Sequence, residues 1–260
     1  MRRSLAAVAV TAALFASSSR ILAADDLSDL AFHPHPGAQL PLAVPLTDES
    51  GAPVELAQFF TGAPVVLVLE YLRCKSLCGL TLEDIVTDLD GLSVEPGRDF
   101  QLVAISIDPR DGPAQLAAAK ANYLAHDRHA GAADAFHFLG GSESAVRSIA
   151  DSVGFPYRRD PELDQYIHPA GFVVAAPDGR ISRYLLGVGT SAAELRVALD
   201  DARQGRSMSP LTRLLLLCHG EGTALGRYTV PVLAAFTAAN LGAVAALVAW
   251  FAAIRMRRDR

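Results

Sequence analysis

The chain has 260 residues, 51% of them hydrophobic, and a formal net charge of −5 at pH 7. Once two strongly apolar ends are set aside, about 200 residues remain, which is enough for one domain with a full core. The mild negative charge and the lack of a basic stripe in the central region exclude nucleic acid as an expected partner.

The first 24 residues have the layout of a cleaved secretory signal. A basic start, Met1-Arg2-Arg3, precedes an apolar run from Leu5 to Ala16 and then small residues at Ala23-Ala24. The run is too short to span a bilayer, and the basic start disfavours the alternative of a buried N-terminal helix. We therefore expect export of the mature chain. Residues 25–39 are polar and lack periodicity, so we interpret them as a tether.

Between residues 40 and 203, segments with strand patterns alternate with segments of helical periodicity. The run Pro64–Tyr71 is almost continuously apolar and β-branched, which is typical of a strand buried on both faces. Further strands are predicted at 46–54 (two, around a turn), 102–107, 136–139, 171–176 and 180–186. Helices are predicted at 56–60, 79–92, 114–124, 143–153 and 191–202, the last capped by Ser191 and Glu194. This order predicts an α/β fold with a mixed sheet flanked by helices.

A single membrane-spanning helix is predicted near the C-terminus. Residues Val230–Ile254 include no charged side chain across 25 positions. As a helix they reach roughly 37 Å, enough to cross a hydrocarbon core of about 30 Å. The tail 255–260 holds four arginines and is expected in the cytoplasm. The predicted topology is single-pass, with the domain on the extracytoplasmic (periplasmic) side of the cell membrane and residues 204–229 as a juxtamembrane linker.

Two cysteines, Cys74 and Cys78, follow the first buried strand and precede the first long helix. Sites in open α/β sheets form at the carboxyl ends of strands. Thiols four positions apart on a helical turn can share a soft metal ion or close a disulfide. The helix N-terminus and the adjacent Arg73 and Lys75 favour the thiolate form. The residues alone leave open a metal site, a redox pair and a structural disulfide.

Three segments resemble the Sco/SenC family of copper proteins that take part in cytochrome c oxidase assembly. They are Tyr71–Gly79, with both cysteines, Ser106–Asp111, and Ile167–Gly171. The resemblance covers residues 40–202 in order. Lys75 and Gly79 stand where the family often has prolines, and the anchor is C-terminal, so the chain resembles a subtype of the family.

The resemblance implies a thioredoxin-like fold in which Cys74, Cys78 and His168 bind Cu(I) or Cu(II). The counterpart of Asp108 lies near the site in the family, so Asp108 either orients a ligand or serves as a turn or helix-capping residue. The implied function is copper delivery to a respiratory oxidase subunit, with an upstream periplasmic copper donor as a second partner. The alternatives are a thiol–disulfide oxidoreductase, in which Cys74 attacks and Cys78 resolves, and a thiol peroxidase.

The remaining cysteine and histidines have no clear ligand pattern. Cys218 and His219 precede the predicted span, and they are either a third metal-capturing group, an intermolecular disulfide partner or bystanders. The other histidines are predicted to be surface or core residues: His33, His35, His126, His129 and His137.

Overall fold

The computed structural model describes residues 30–72, 78–125, 131–207, 237–242, 244 and 250. The predicted signal at 1–24, most of the predicted span at 230–254 and the tail at 255–260 lie outside these residues. Within the described part of the chain, no helix is long and apolar enough to cross a membrane.

The described residues between 45 and 203 form nine strands, five α-helices and one 3₁₀ helix. The strands are β1 Pro45–Thr47, β2 Pro53–Glu55, β3 Val65–Glu70, β4 Gln101–Ser106, β5 Phe136–Leu139, β6 Arg158–Asp160, β7 Gln165–Ile167, β8 Gly171–Ala175 and β9 Ile181–Leu186. The helices are α1 Cys78–Asp90, α2 Pro113–Leu124, α3 Ala132–Ala135, α4 Glu143–Ser152 and α5 Ala192–Arg203, with the 3₁₀ helix at Leu56–Phe59.

Five strands form a mixed central sheet in the order β5-β4-β3-β8-β9. Strand β3 pairs in parallel with β4, and β4 pairs in parallel with β5. On its other side β3 pairs antiparallel to β8, which forms an antiparallel hairpin with β9. The carboxyl ends of β3 and β4 therefore lie at the same edge of the sheet as the amino end of β8. This edge is where the candidate site residues are expected.

Successive residues of β3 point to opposite faces of the sheet, and each face has its own hydrophobic cluster. Leu67 packs on the face that also includes Val146 and Ile149 of α4. Val68 packs on the other face, which is covered by apolar residues of α1, α2 and α5. Burial on both faces explains why the β3 sequence is apolar without alternation.

The structure confirms the mixed sheet flanked by helices. The hairpin around Pro177-Asp178-Gly179 forms, and the predicted capping box closes α5, with Glu194 N–H donating to Ser191 Oγ at 3.3 Å. The sequence reasoning missed two elements, the four-residue helix α3 and the hairpin made by β6 and β7.

The described part of the predicted tether, residues 30–39, packs against the domain. The ring of Phe32 lies 5.2 Å from that of Phe155 and 6.0 Å from that of Tyr184. The amide of His33 donates to the carbonyl of Gly154 at 2.7 Å. Residues 30–39 are therefore attached to the domain, because aromatic contacts that are distant in sequence outweigh their polar composition.

We predict that a side chain at position 154 would destabilise the protein, because residues 30–39 pack against the backbone there. Gly154 has a φ of +63°, and a Cβ there would lie 1.8 Å from the carbonyl oxygen of His33. Gly205 has nearly the same φ, +62°, with nothing within 4 Å. Gly205→Ala should cost only the left-handed conformation, about 1–2 kcal/mol, whereas Gly154→Ala adds a backbone clash and should cost about 2–5 kcal/mol. Urea unfolding of both variants tests this, and equal losses would contradict it.

Candidate metal centre

The two cysteines lie on the connection from β3 to α1. Strand β3 ends at Glu70, and α1 begins with Cys78, so that this residue occupies the N-terminus of the helix. Cys74 lies outside the described residues, as do Cys218 and His219. The convergence of the two thiols and the role of Cys218 therefore stay predictions.

His168 lies at the same edge of the sheet, in the connection that leads into β8, which runs antiparallel to β3. It follows β7 and precedes β8, whose amino end is adjacent to the carboxyl end of β3. Its ring packs against Phe155, with 5.5 Å between the ring centroids. The topology thus brings His168 and the start of α1 to one edge, although they are ninety positions apart in the sequence.

The imidazole of His168 has one satisfied nitrogen and one unsatisfied nitrogen. Nδ1 lies 3.0 Å from the carbonyl oxygen of Pro169. Because a carbonyl can only accept, Nδ1 carries the proton and Nε2 carries a lone pair. Nε2 is buried and has no hydrogen-bond partner among the described residues. Burial lowers the pKa of His168, a change only partly offset by the bond to Pro169. The neutral ring with a buried lone pair fits a metal ligand, since metal-binding histidines commonly donate their other ring N–H to a carbonyl.

Asp108 lies just after β4, at the adjacent strand end, and its side chain is fully buried. Its carboxylate accepts bonds from Arg110 Nε at 2.8 Å and Nη2 at 2.7 Å, and from the Arg110 amide at 3.0 Å. The N-cap of the following helix is Gly112, so Asp108 is a turn residue rather than a helix cap. It makes no hydrogen bond to His168. Through Arg110, Asp108 is linked to Asp164 in the turn before β7.

Arg110 and Asp164 are polar residues near this edge that the sequence reasoning did not single out. Arg110 Nη1 donates to Asp164 Oδ1 at 3.1 Å, and Asp164 lies in the turn between β6 and β7. Arg159 and Arg110 hold the pKa of Asp164 below its usual range. Arg110 belongs to the segment noted for its resemblance, but no local signal indicated that Asp164 is its partner.

The described residues alone do not complete a metal site. Within them, no three histidine, cysteine or acidic side chains are grouped so as to hold a metal ion. Of the other histidines, His137 on β5 is partly buried, with Nε2 2.9 Å from Gln101 Oε1 and a pKa lowered to about 4 by burial. A site at this edge therefore depends on adding the thiols of Cys74 and Cys78 to His168.

A central mixed sheet, a cysteine-bearing connection after its middle strand and a histidine before the antiparallel hairpin define a thioredoxin-like protein with a candidate soft-metal site. The model of the SCO1/SenC family matches residues 39–200, more than half of the chain, and the chain belongs to this family. No curated protein gives a match to this sequence.

Many solved structures are similar to this chain, among them the following three. A protein of Aquifex aeolicus VF5 has a TM-score of 0.57 at 23% identity, over 65% of this chain and 95% of its own. ScoI of Arabidopsis thaliana, with copper bound, has a TM-score of 0.52 at 19% identity, over 66% and 98%. BsSco is a member of the Sco family of cytochrome c oxidase assembly proteins and has a disulfide switch. Its TM-score is 0.50 at 21% identity, and the match covers 66% of this chain and 97% of BsSco. At these identities the likeness establishes the thioredoxin-like fold.

The state of the His168 ring can be measured directly. We expect ring ¹⁵N NMR of the metal-free protein at pH 7 to show neutral His168 with its proton on Nδ1. Because burial depresses the folded-state pKa below the ordinary value of about 6.5, stability linked to His168 is fully present above that pH and is lost as pH falls through the folded pKa. A charged ring at pH 7, or a proton on Nε2, would contradict the geometry.

Proposed function

We propose that this chain binds copper through Cys74, Cys78 and His168 and delivers it to the copper site of a respiratory oxidase subunit. The observation that carries the proposal is the buried Nε2 of His168, which has no hydrogen-bond partner among the described residues and lies at the edge of the sheet where α1 begins. An imidazole lone pair kept from solvent and from other donors is ready for a metal ion.

The chemistry of the donor set supports copper. Two thiolates suit the soft Cu(I) ion, and an added imidazole also allows the oxidised ion to be held. Cys78 is the first residue of α1, where the partial positive charge of a helix N-terminus stabilises a thiolate. Delivery by ligand exchange fits such a set, because the thiolates of donor and acceptor can share the ion in passing.

The acceptor in this proposal is inferred from similar proteins. ScoI of Arabidopsis thaliana was solved with copper bound, and BsSco belongs to a family of cytochrome c oxidase assembly proteins. The chain covers nearly the full length of both structures. By analogy, the acceptor of this chain is an oxidase subunit whose copper site is being assembled.

A second candidate is a thiol–disulfide oxidoreductase that reduces the cysteines of the target site. The disulfide switch of BsSco favours it, and here Cys74 would attack while Cys78 resolves the mixed disulfide. This reaction does not use His168. Copper binding therefore explains the buried lone pair better than thiol exchange does.

Membrane attachment through residues 230–254 is also part of the proposal. The described residues of this segment are helical, and Leu241, Val244 and Trp250 are each more than half exposed. A bilayer would cover apolar side chains with this exposure. An anchor there would keep the copper site near a membrane-bound acceptor. It would thereby raise the effective concentration of the copper donor at that acceptor.

Copper titration of the purified, reduced chain tests the ligand set. We expect one ion per chain, loss of Cu(I) binding in Cys74→Ser or Cys78→Ser, and unchanged binding in the control His33→Ala, an exposed histidine. His168→Ala should weaken Cu(II) more than about 100-fold, since even residues that only support a ligand cost 10–100-fold, but Cu(I) much less. If His168→Ala keeps the Cu(II) affinity and absorption spectrum, the histidine is not a ligand.

A reporter fused after Arg260 tests the topology. Four arginines in the last six residues resist crossing the membrane, so alkaline phosphatase at that position should be inactive. The same reporter fused after Arg206, before the predicted span, should be active. Activity at Arg260 equal to that at Arg206 would overturn the proposed orientation.

A further inference from the structure

The hairpin formed by β6 and β7 leads directly into His168. The two strands pair antiparallel, with Arg158 opposite Ile167, and His168 is the next residue. Within the described residues, His168 itself makes only a bond to the adjacent Pro169 and a ring contact with Phe155. The location of its ring therefore depends in part on what holds the hairpin, together with Phe155 and the start of β8 at Gly171.

The turn of this hairpin is attached to the rest of the domain at Asp164. The carboxylate of Asp164 accepts bonds from Arg110 Nη1 at 3.1 Å and from Arg159 Nε at 3.1 Å. Its backbone carbonyl accepts from the hydroxyl of Tyr71 at 3.3 Å. Asp164 is also the one non-glycine residue with a positive φ, +48°, among the described residues. Arg110 and Tyr71 each lie just beyond the end of a central strand, so both tie the turn to the sheet edge.

The other end of Arg110 is fixed in the core. Its Nε and Nη2 bind the carboxylate of Asp108, whose side chain is fully buried. The amide of Asp108 in turn donates to Ser106 Oγ at 3.2 Å, at the last residue of β4. A guanidinium held on two edges has little freedom to follow a moving partner. Arg110 thus links the hairpin turn to the end of β4, whose position is fixed.

We propose that Arg110 and Asp164 are positioning residues that hold the β6–β7 hairpin, and with it His168, over the candidate copper site. The inference rests on the proposed function, since it concerns His168 as a ligand. A ligand that strays by much more than about 0.5 Å loses productive geometry, so an unattached hairpin would weaken the site. Cu(II) should depend on this attachment more than Cu(I), because two thiolates alone satisfy the softer ion.

Asp164→Asn is the sharpest variant. Asparagine adopts the left-handed conformation as readily as aspartate, so the turn is kept while the charge is lost. Tyr166 still packs between Tyr71 and Tyr157, at ring distances of 5.3 and 6.0 Å, which keeps the hairpin folded. The matched control is Asp178→Asn in the β8–β9 turn, where Asp178 pairs with Arg180 at 2.8 Å with similar exposure.

Two measurements on the full chain in detergent test the role. Hydrogen exchange of the metal-free protein should be about fivefold faster for the amides of 158–167 in Asp164→Asn, as expected for losing an exposed ion pair. Cu(II) affinity should fall by about the same factor with an altered Cu(II) spectrum, while Cu(I) affinity stays within about twofold. Asp178→Asn should match the wild type in all respects. In a His168→Ala background, Asp164→Asn should cause no further loss of Cu(II) affinity.

Arg110→Gln provides a second route to the same result. It should also speed exchange in 158–167 and weaken Cu(II), with a lower Tm because Asp108 loses its ion pair with Arg110. If wild-type and Asp164→Asn proteins share both exchange rates and Cu(II) affinity, the positioning role is overturned while copper binding stands. If the wild type binds no copper, or binds it without His168, the proposed function fails and the positioning role fails with it.

Discussion

Strand β3 pairs in parallel with β4 and antiparallel with β8, and the positions of the candidate residues follow from these two pairings. The parallel pairing puts the ends of β3 and β4 at one edge, so the cysteine connection starts beside Asp108. The antiparallel pairing brings the start of β8 to the same edge, and His168 comes with it. Burial holds β3 there, since the side chains of Val66, Leu67 and Val68 are 0% exposed and each contributes about 1.5–3 kcal/mol.

The parts of the fold that the sequence predicts are those specified by local or strictly periodic patterns. Strands β3 and β4 are buried on both faces, which requires unbroken apolar runs that are visible in the sequence. The β8–β9 turn is specified by Pro177-Asp178-Gly179, and the start of α5 by Ser191 with Glu194. The spacing of Cys74 and Cys78 after β3 indicated them as candidate ligands, whereas His168 was predicted only through the family resemblance, because no periodicity marks a ligand.

The β6–β7 hairpin was missed because its stability is not encoded locally. Its residues are mostly exposed and do not alternate between apolar and polar, so no strand pattern appears. The contacts that order it come from outside the hairpin: Tyr71 packs on Tyr166, and Arg110 pairs with Asp164. The same reasoning explains residues 30–39, where contacts from Phe32 and His33 to distant residues order a polar segment. Tertiary pairings of this kind cannot be inferred from one sequence.

The fold therefore holds the start of α1, with Cys78, more strongly than it holds the segment with His168. Cys78 begins a helix anchored by Leu82, Ile85 and Leu89, all 0% exposed, and each such burial contributes about 1.5–3 kcal/mol. His168 follows a hairpin held by aromatic contacts and by ion pairs with substantial exposure, each worth about 0–1 kcal/mol. Displacing the histidine thus costs less than displacing the helix. Delivery by ligand exchange requires one ligand to leave while the others still hold the ion. On the proposed function, His168 is therefore released more easily than Cys78, which keeps its hold on the ion while copper is passed on.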